Sequence, residues 1–357
     1  MNNHIIISAA GSRKTTTLVE SAIDCSPESV LILTYTIENQ RTIQKYIIRK
    51  LGAIPLNINV QTWFTFLLHD CVRPYQNYVY EKQRIANILF TEGRSALYVP
   101  KTNIERYYIF NGNLIYTDKI SEFAILCNER SNGNVINRLE SIYDRIFIDE
   151  TQDLAGYDFD FIELLLPSRI SMLMVGDPRQ ATYFTNYSPK NSMFKGSNIT
   201  ALFNAWHDKG WCHLTTNNRC YRSTQEICSF ADTLYPGLPE TVSMNTEFTS
   251  HNGIFFVSLP ALERYITAFN PKILRDKITT NSYGYPASNF GVSKGLTFDR
   301  VLIIPSGPIR TFLKNGDPEP LADKTRSGLY VAITRAVNSV AFLYDGPSIF
   351  ETIKNWG

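Results

Sequence analysis

The sequence lacks several features that would assign it to a specialised class of protein. Its 357 residues contain no apolar run close to the roughly 20 residues that a membrane-spanning helix needs. The six cysteines are scattered, without a Cys-x-x-Cys pair or zinc-ligand spacing, which predicts reduced thiols. No basic segment with a cleavage site precedes the first apolar segment, so no secretory signal is predicted. Together these absences predict a cytoplasmic protein without a membrane partner.

Charge is also in short supply. Charged residues make up 19% of the chain, the net charge is +2, and no block of Lys and Arg forms a basic arm. A nucleic-acid partner would therefore have to be held by a local groove. Hydrophobic residues, in contrast, make up 44% of the chain, which indicates a core-forming protein long enough for two domains.

Short apolar segments alternate with amphipathic ones along most of the chain. The apolar segments predict strands of parallel sheets that are covered on both faces, at residues 4–8, 30–36, 145–150, 171–177, 213–217, 253–259, 302–305 and 339–344. Helices are predicted at 15–22, 38–51 and 224–234. The fold class is therefore α/β, with one domain over 1–205 and a second over 206–357. A polar and aromatic stretch at about 72–140 predicts an insertion, and Gly, Pro and charge at about 306–327 predict a loop.

The first strand runs into a possible phosphate-binding loop, "IIISAAGSRKTTTL". Lys14 would neutralise the charge of β- and γ-phosphates, and the Thr15 hydroxyl would hold Mg²⁺. An ordinary strand-to-helix turn is the alternative, because Ser8 and Arg13 stand where the strict pattern has glycine. We expect Arg13 to keep right-handed helical dihedrals without glycine, and its guanidinium to reach a phosphate. The residues predicted to surround the nucleotide at the start of the following helix are Ala9, Ala10, Gly11, Ser12, Arg13, Lys14, Thr15 and Thr16.

Two further strand ends carry polar groups suited to nucleotide chemistry. In "IFIDETQDL", Asp149 would hold Mg²⁺ and Glu150 would orient or deprotonate the attacking water. In "VGDPRQ", Gln180 could sense the γ-phosphate or that water. The alternatives are a helix N-cap for the acid pair and a plain Gly-Asp-Pro turn. Three strand ends meeting at one crevice nevertheless predict a nucleotide site.

Eight segments follow one another along the chain in the order "AAGSRKTTTL", "LTYTIENQRTI", "VQTWFTFL", "DETQDL", "GDPRQATYF", "YRSTQEI", "SKGLTFDRV" and "YVAITRA". In these segments, and over nearly its whole length, the chain resembles the UvrD/Rep-type superfamily 1 helicases, in a compact form. The resemblance implies two RecA-like domains with ATP in the cleft between them and single-stranded nucleic acid across the top. It also implies that Tyr221 stacks on adenine and that Arg222 and Arg335 reach the γ-phosphate. A surface salt bridge is the alternative for both arginines, and Arg219 competes with Arg222.

The same resemblance suggests nucleic-acid contacts at Thr36 and at three aromatic residues. Trp63 and Phe64 lie in "VQTWFTFL", and Phe184 could replace the family's stacking tryptophan, whose position is Thr185 here. Core packing is the alternative for each aromatic side chain. The family's upstream glutamine motif is absent, which leaves adenine specificity open. Residues 233–288 are also too few for the family's large mobile subdomain.

Three functions follow as expectations. The first is an ATPase that uses ATP and Mg²⁺ to translocate on single-stranded DNA or RNA, 3′ to 5′ by analogy. The second is a regulatory NTPase subunit of an OLD-type nuclease, similar to the helicase-like subunit of Gabija phage-defence systems, with little unwinding alone. The third is a nucleic-acid-binding protein that no longer hydrolyses ATP, and the intact Lys14, Asp149 and Glu150 argue against it.

Overall fold

The computed structural model describes residues 3–357, which divide into two compact units. The first unit runs to Thr216, except for Ser8–Arg13 and Arg179–Thr182, which belong with Asn217–Gly357 in the second unit. The division therefore falls at 216/217 rather than at the predicted 205/206. The reason is that helix Ile199–Asp208 buries its apolar face in the first core, and strand His213–Asn217 joins the first sheet.

The first unit is built around a six-stranded sheet. Its strands lie in the order Ile58–Thr62, Val30–Thr34, Arg145–Ile148, Ser171–Gly176, His4–Ser8 and His213–Asn217. The pairings among the first five strands are parallel. Helices Lys14–Asp24 and Ile37–Leu51 cover one face of this sheet with apolar side chains. The carboxyl ends of the parallel strands therefore share one edge, where Asp149 and Asp177 follow their strands.

The stretch predicted as an insertion contributes to the core of the first unit. It contains a small sheet of strands Asn87–Leu89, Leu114–Tyr116 and Ile109–Phe110, and helices Ile104–Tyr108, Ile120–Arg130 and Asn134–Ile142. Ile120, Phe123 and Cys127 are buried in one core with residues of helix Tyr157–Leu165. The stretch is thus packed against the sheet rather than folded around a core of its own.

The second unit has a second six-stranded sheet, in which all pairings are parallel. The order is Ser288–Asn289, Lys272–Arg275, Phe298–Ile304, Ala336–Leu343, Gly253–Val257 and Lys354–Trp356. Apolar clusters cover both of its faces, with helices Gln225–Asp232, Leu262–Phe269, Gly307–Asn315 and Asp323–Ile333. The predicted α/β fold with two parallel-sheet domains is confirmed.

The loop predicted at 306–327 is wrong, because this stretch holds helix Gly307–Asn315 and the start of helix Asp323–Ile333. Pro308 lies in the first turn, where its missing N–H costs nothing. Gly316, at φ +75°, ends the helix in the left-handed conformation that glycine adopts freely. Within residues 3–357, no helix is long and apolar enough to cross a membrane.

Candidate nucleotide and nucleic-acid sites

In the first unit, the start of helix Lys14–Asp24 meets the acid pair that follows strand Arg145–Ile148. The Thr15 hydroxyl donates a hydrogen bond to Asp149 Oδ2 at 2.7 Å. Lys14 Nζ lies 3.9 Å from Glu150 Oε1. The structure therefore brings together the four residues whose combination led to the prediction of a nucleotide site.

Asp149 is the buried member of this group. Burial raises the pKa of its carboxyl to about 6, and the neighbouring Glu150 charge acts in the same direction. The Thr15 hydrogen bond and the Lys14 charge oppose that rise in pKa. A cation bound to Asp149 would offset the cost of keeping this carboxylate ionised.

Thr15 and Asp149 present the chemistry that Mg²⁺ requires. Both offer oxygen donors, and Mg²⁺ is usually held by one or two carboxylates together with waters and substrate phosphates. In the part of the chain that the structure describes, no three His, Cys, Asp or Glu side chains form a metal-binding group. A Mg²⁺ ion held by Thr15 and Asp149 would complete its coordination with waters and nucleotide phosphates.

Glu150 is held in a backbone conformation that is unusual for its residue type. Its φ is +58°, in the left-handed region that carries strain for residues other than glycine. The Gln152 side-chain amide nitrogen donates to the Glu150 carboxylate, while the side-chain oxygen Oε1 of Gln152 accepts from the Asp177 N–H at 3.0 Å. Gln152 therefore links the two acidic strand ends and positions the Glu150 carboxylate beside Lys14.

The predicted phosphate loop, Ser8–Arg13, clusters with residues of the second unit and contacts several of them. The Tyr221 N–H donates to the Gly11 carbonyl at 2.9 Å. A side chain at Gly11, where φ is +72°, would meet Cys220 Sγ at 2.8 Å and Arg222 Cβ at 3.0 Å. Glycine is therefore required at this position by both the space and the backbone.

The backbone N–H of Ala9, a residue predicted to surround the nucleotide, is not available to a phosphate. The Ala9 N–H donates to the Asn217 carbonyl at 2.9 Å, because Ala9 extends strand His4–Ser8 next to strand His213–Asn217. Ala10 packs in the second core, and Ser12 is buried with a hydroxyl that has no hydrogen-bond partner in residues 3–357. Thr16 lies half-buried in the first turn of the helix. The Ser12 hydroxyl is thus a polar group suited to a ligand oxygen.

The expected right-handed conformation of Arg13 is wrong. Its φ is +63°, which glycine adopts freely but which costs other residues about 1–2 kcal/mol. The Arg13 guanidinium carbon lies 4.2 Å from the centre of the Tyr221 ring. An exposed cation–π contact stabilises by about 0.5–1 kcal/mol, which is less than the backbone cost. The contact therefore does not by itself explain why arginine occupies this position.

The predicted arginines lie in the second unit at two places. Arg335 is buried and donates to Gln180 Oε1 at 3.2 Å. Arg222 lies beside Gly11 and donates to the Thr334 carbonyl at 3.0 Å, and burial lowers its pKa. Arg219 is exposed. Of the two competing arginines, Arg222 rather than Arg219 therefore lies beside the loop that is predicted to bind phosphate.

Two of the aromatic residues predicted to stack on bases cannot do so, because they are buried. Trp63 is in the first core, and its indole N–H donates to Asp158 Oδ1 at 2.9 Å. Phe64 is enclosed between the rings of Tyr35 and Phe90, at 5.8 Å and 5.6 Å. The predictions for Trp63 and Phe64 are wrong, since the short helix Trp63–Phe66 packs both side chains inward.

The remaining predicted nucleic-acid residues are accessible. Thr36 is exposed and caps helix Ile37–Leu51 by accepting from the Asn39 N–H at 3.1 Å. Phe184 is partly exposed, with Lys195 Nζ 5.7 Å from its ring. Phe90, which was missed, is 68% exposed and lies directly after strand Asn87–Leu89. An aromatic residue after a strand in a polar stretch was a signal for it, but its contact with Phe64 was not visible in the sequence.

Two sequence comparisons match part of the chain. A family model described as the UvrD/REP helicase N-terminal domain matches residues 73–191. A curated relative, a probable DNA helicase II homolog of Mycoplasma capricolum, is 24% identical over 126 residues. That alignment covers 35% of this chain and 15% of the relative. The chain thus matches only a small part of the relative's length.

Three solved structures are similar to the chain at low identity. They are the arterivirus nonstructural protein 10 helicase (TM-score 0.46, 14% identity), the same helicase in complex with DNA (0.46, 14%) and the PRRSV helicase (0.45, 16%). The matches cover 96%, 96% and 97% of this chain and 59%, 60% and 55% of those chains, respectively.

Proposed function

The chain resembles UvrD/Rep-type superfamily 1 helicases in its motifs and in its match to their N-terminal-domain model, and we propose that it is a nucleic-acid-dependent ATPase of this type. ATP hydrolysis would be coupled to movement along single-stranded DNA or RNA, with 3′-to-5′ polarity. The observation that carries the proposal is the meeting of Lys14 and Thr15 with Asp149 and Glu150 in the first unit.

In this proposal each polar group has a separate task. Lys14 binds the β- and γ-phosphates, and Thr15 with Asp149 holds Mg²⁺, which supplies positive charge to the phosphate oxygens when bound. Glu150 accepts the proton of the water that attacks the γ-phosphorus, while the bond between that phosphorus and the β–γ bridging oxygen breaks. Arg335 and Gln180 stabilise the γ-phosphate as its charge redistributes.

Nucleic acid would contact the exposed residues Thr36, Phe90 and Phe184. Base stacking contributes about 1–3 kcal/mol per base, so one or two exposed rings support modest affinity. The burial of Trp63 and Phe64 favours a second candidate function, because it leaves fewer stacking surfaces than an autonomous motor would use. That candidate is a regulatory NTPase subunit whose partner would be an OLD-type nuclease.

The nucleotide chemistry is tested with two variants that fail for different reasons. Lys14→Ala should weaken ATP binding, whereas Glu150→Gln should retain binding and abolish hydrolysis. Lys45→Ala, an exposed lysine on the neighbouring helix Ile37–Leu51, is the matched control and should keep both properties. Nucleotide affinity and turnover are measured in parallel. Native hydrolysis by Glu150→Gln would contradict the role of Glu150.

The coupling to nucleic acid is tested by measuring ATPase rate against single strands at two salt concentrations. A motor should be stimulated several-fold, and the stimulation should weaken with salt because Lys and Arg contacts release counterions. Displacement of a labelled strand from substrates with either 3′ or 5′ overhangs tests the polarity. An ATPase rate that saturating single strands leave unchanged would contradict the motor and favour the partner-dependent subunit.

A further inference from the structure

The contact between Arg13 and Tyr221 joins two residues that the proposed function assigns to different parts of the nucleotide. Arg13 belongs to the phosphate loop, and Tyr221 is the residue expected to stack on the base. Both side chains are exposed, and the guanidinium carbon lies 4.2 Å from the ring centre. A base cannot stack on the ring face that the guanidinium covers.

The backbone keeps the two residues together. The hydrogen bond from the Tyr221 N–H to the Gly11 carbonyl fixes the loop two residues before Arg13. The tight packing of Gly11 against Cys220 and Arg222 restrains the same point. Arg13 therefore needs to move only its side chain, which is long and exposed, to leave the ring.

Arginine also occupies this position against its backbone preference. Its left-handed φ of +63° is strained, and the exposed contact with the ring does not compensate for that strain. Strain retained at a ligand-binding loop points to a functional role of the side chain. A guanidinium binds phosphate through paired N–H donors, and its attraction grows with the phosphate charge.

We infer that Arg13 makes base stacking on Tyr221 depend on the phosphates of the nucleotide. Without phosphates the guanidinium covers the ring and competes with the base. A triphosphate draws the guanidinium away and opens the ring face, so base and phosphate affinities are coupled. Arg13 is in this way a specificity-determining residue that favours triphosphates over diphosphates and free nucleosides. The inference rests on the proposed nucleotide site.

The test compares binding of adenosine, ADP and ATP to the wild type, Arg13→Gly, Arg13→Asn and Arg13→Lys. Glycine and asparagine both tolerate left-handed dihedrals, so these two variants remove the guanidinium without adding backbone strain. Each should bind adenosine about two- to fivefold more tightly, as expected for loss of an exposed cation–π contact, and ATP less tightly. Arg13→Lys keeps the charge but not the planar contact, so its affinities should lie between those of the wild type and those of the glycine and asparagine variants. Calorimetry measures ATP and ADP, and ligand-observed NMR measures adenosine.

The outcomes separate this inference from the proposed function. Unchanged or weaker adenosine binding in both Arg13→Gly and Arg13→Asn overturns the inference, and weaker ATP binding alone would then make Arg13 a simple phosphate ligand. If ATP binds the wild type and Lys14→Ala weakens it, the proposed site stands whatever the Arg13 variants do. If the wild type binds no ATP, the proposed function and the inference fail together.

Discussion

A buried ion pair in the second unit offers a sharp test of how the segment before Gln180 is held. Arg179 Nη1 lies 3.1 Å from Asp232 Oδ1, with the two side chains 5% and 11% exposed. The Asp232 carboxylate also accepts from the Thr241 N–H at 2.6 Å and hydroxyl at 2.9 Å. The change Asp232→Asn would therefore remove the negative charge while keeping the shape of the side chain.

The expected cost of Asp232→Asn follows from this burial. Breaking a buried ion pair by removing one of its charges typically destabilises a protein by about 3–5 kcal/mol, and Asp232→Asn also weakens the two hydrogen bonds from Thr241. Most proteins are stable by only about 5–15 kcal/mol, so the effect should be large. The matched control is Glu319→Gln in the same unit, where Glu319 is 77% exposed and lies 3.4 Å from Arg326. An exposed pair of this kind contributes at most about 1 kcal/mol.

Urea unfolding followed by circular dichroism measures both variants, and hydrogen exchange of helix Gln225–Asp232 locates the effect in the second unit. The double change Arg179→Met with Asp232→Leu should recover only part of the loss, because it removes both charges but also removes the acceptor of the Thr241 N–H and hydroxyl. The reasoning is refuted if Asp232→Asn costs no more than Glu319→Gln.

Three further predictions concern the two candidate sites. In protein free of nucleotide and Mg²⁺, the unfolding free energy of the wild type should fall by about 2 kcal/mol relative to that of Asp149→Asn between pH 4 and pH 7, because burial raises the pKa of the Asp149 carboxyl from 3.8 to about 6 and the folded state therefore holds its proton to higher pH than the unfolded state. Urea titrations with EDTA measure this loss, and parallel pH profiles of the two proteins would contradict it. Phe90→Ala should weaken the binding of the single strand that stimulates the ATPase by about 1–3 kcal/mol, whereas Tyr78→Ala, which removes another exposed aromatic residue of the first unit, should not. Equal effects of the two changes would show that Phe90 is not a stacking residue. Gly11→Ala should abolish nucleotide binding, because the added carbon would lie 2.8 Å from Cys220 Sγ, and ATP calorimetry with full retention of affinity would show that the loop can shift.

The features that the sequence predicted well are those with a local cause. Strand Arg145–Ile148 ends one residue before Asp149, and an apolar run that stops at paired carboxylates has few other interpretations. Strand Ser171–Gly176 is likewise an apolar run that ends directly before a polar segment, which begins at Asp177. The predicted similarity to UvrD/Rep-type helicases is confirmed over residues 73–191 by the family model, and a curated relative matches 35% of the chain.

The features that the sequence could not predict depend on distant contacts or on backbone geometry. Trp63 is buried in the first core, and its indole N–H donates a hydrogen bond to Asp158, 95 residues further along the chain. No local pattern distinguishes such a tryptophan from an exposed one. The left-handed φ of Arg13 was equally hidden, since residue type alone favoured a right-handed conformation. Gly and Pro at 306–327 misled because both residues also begin and end helices.

The division of the chain into two units has a consequence for the order in which the protein is synthesised. Ser8–Arg13 is synthesised well before the residues from Asn217 onward, yet it clusters with them, and Ala10 belongs to their core. At about 5–20 residues per second, the roughly 200 intervening residues take about 10 to 40 seconds to make. During that time the strands of the first sheet can pair while the phosphate loop still lacks the residues that hold its backbone. A chain interrupted before Tyr221 would therefore carry a folded sheet with an unsupported phosphate loop.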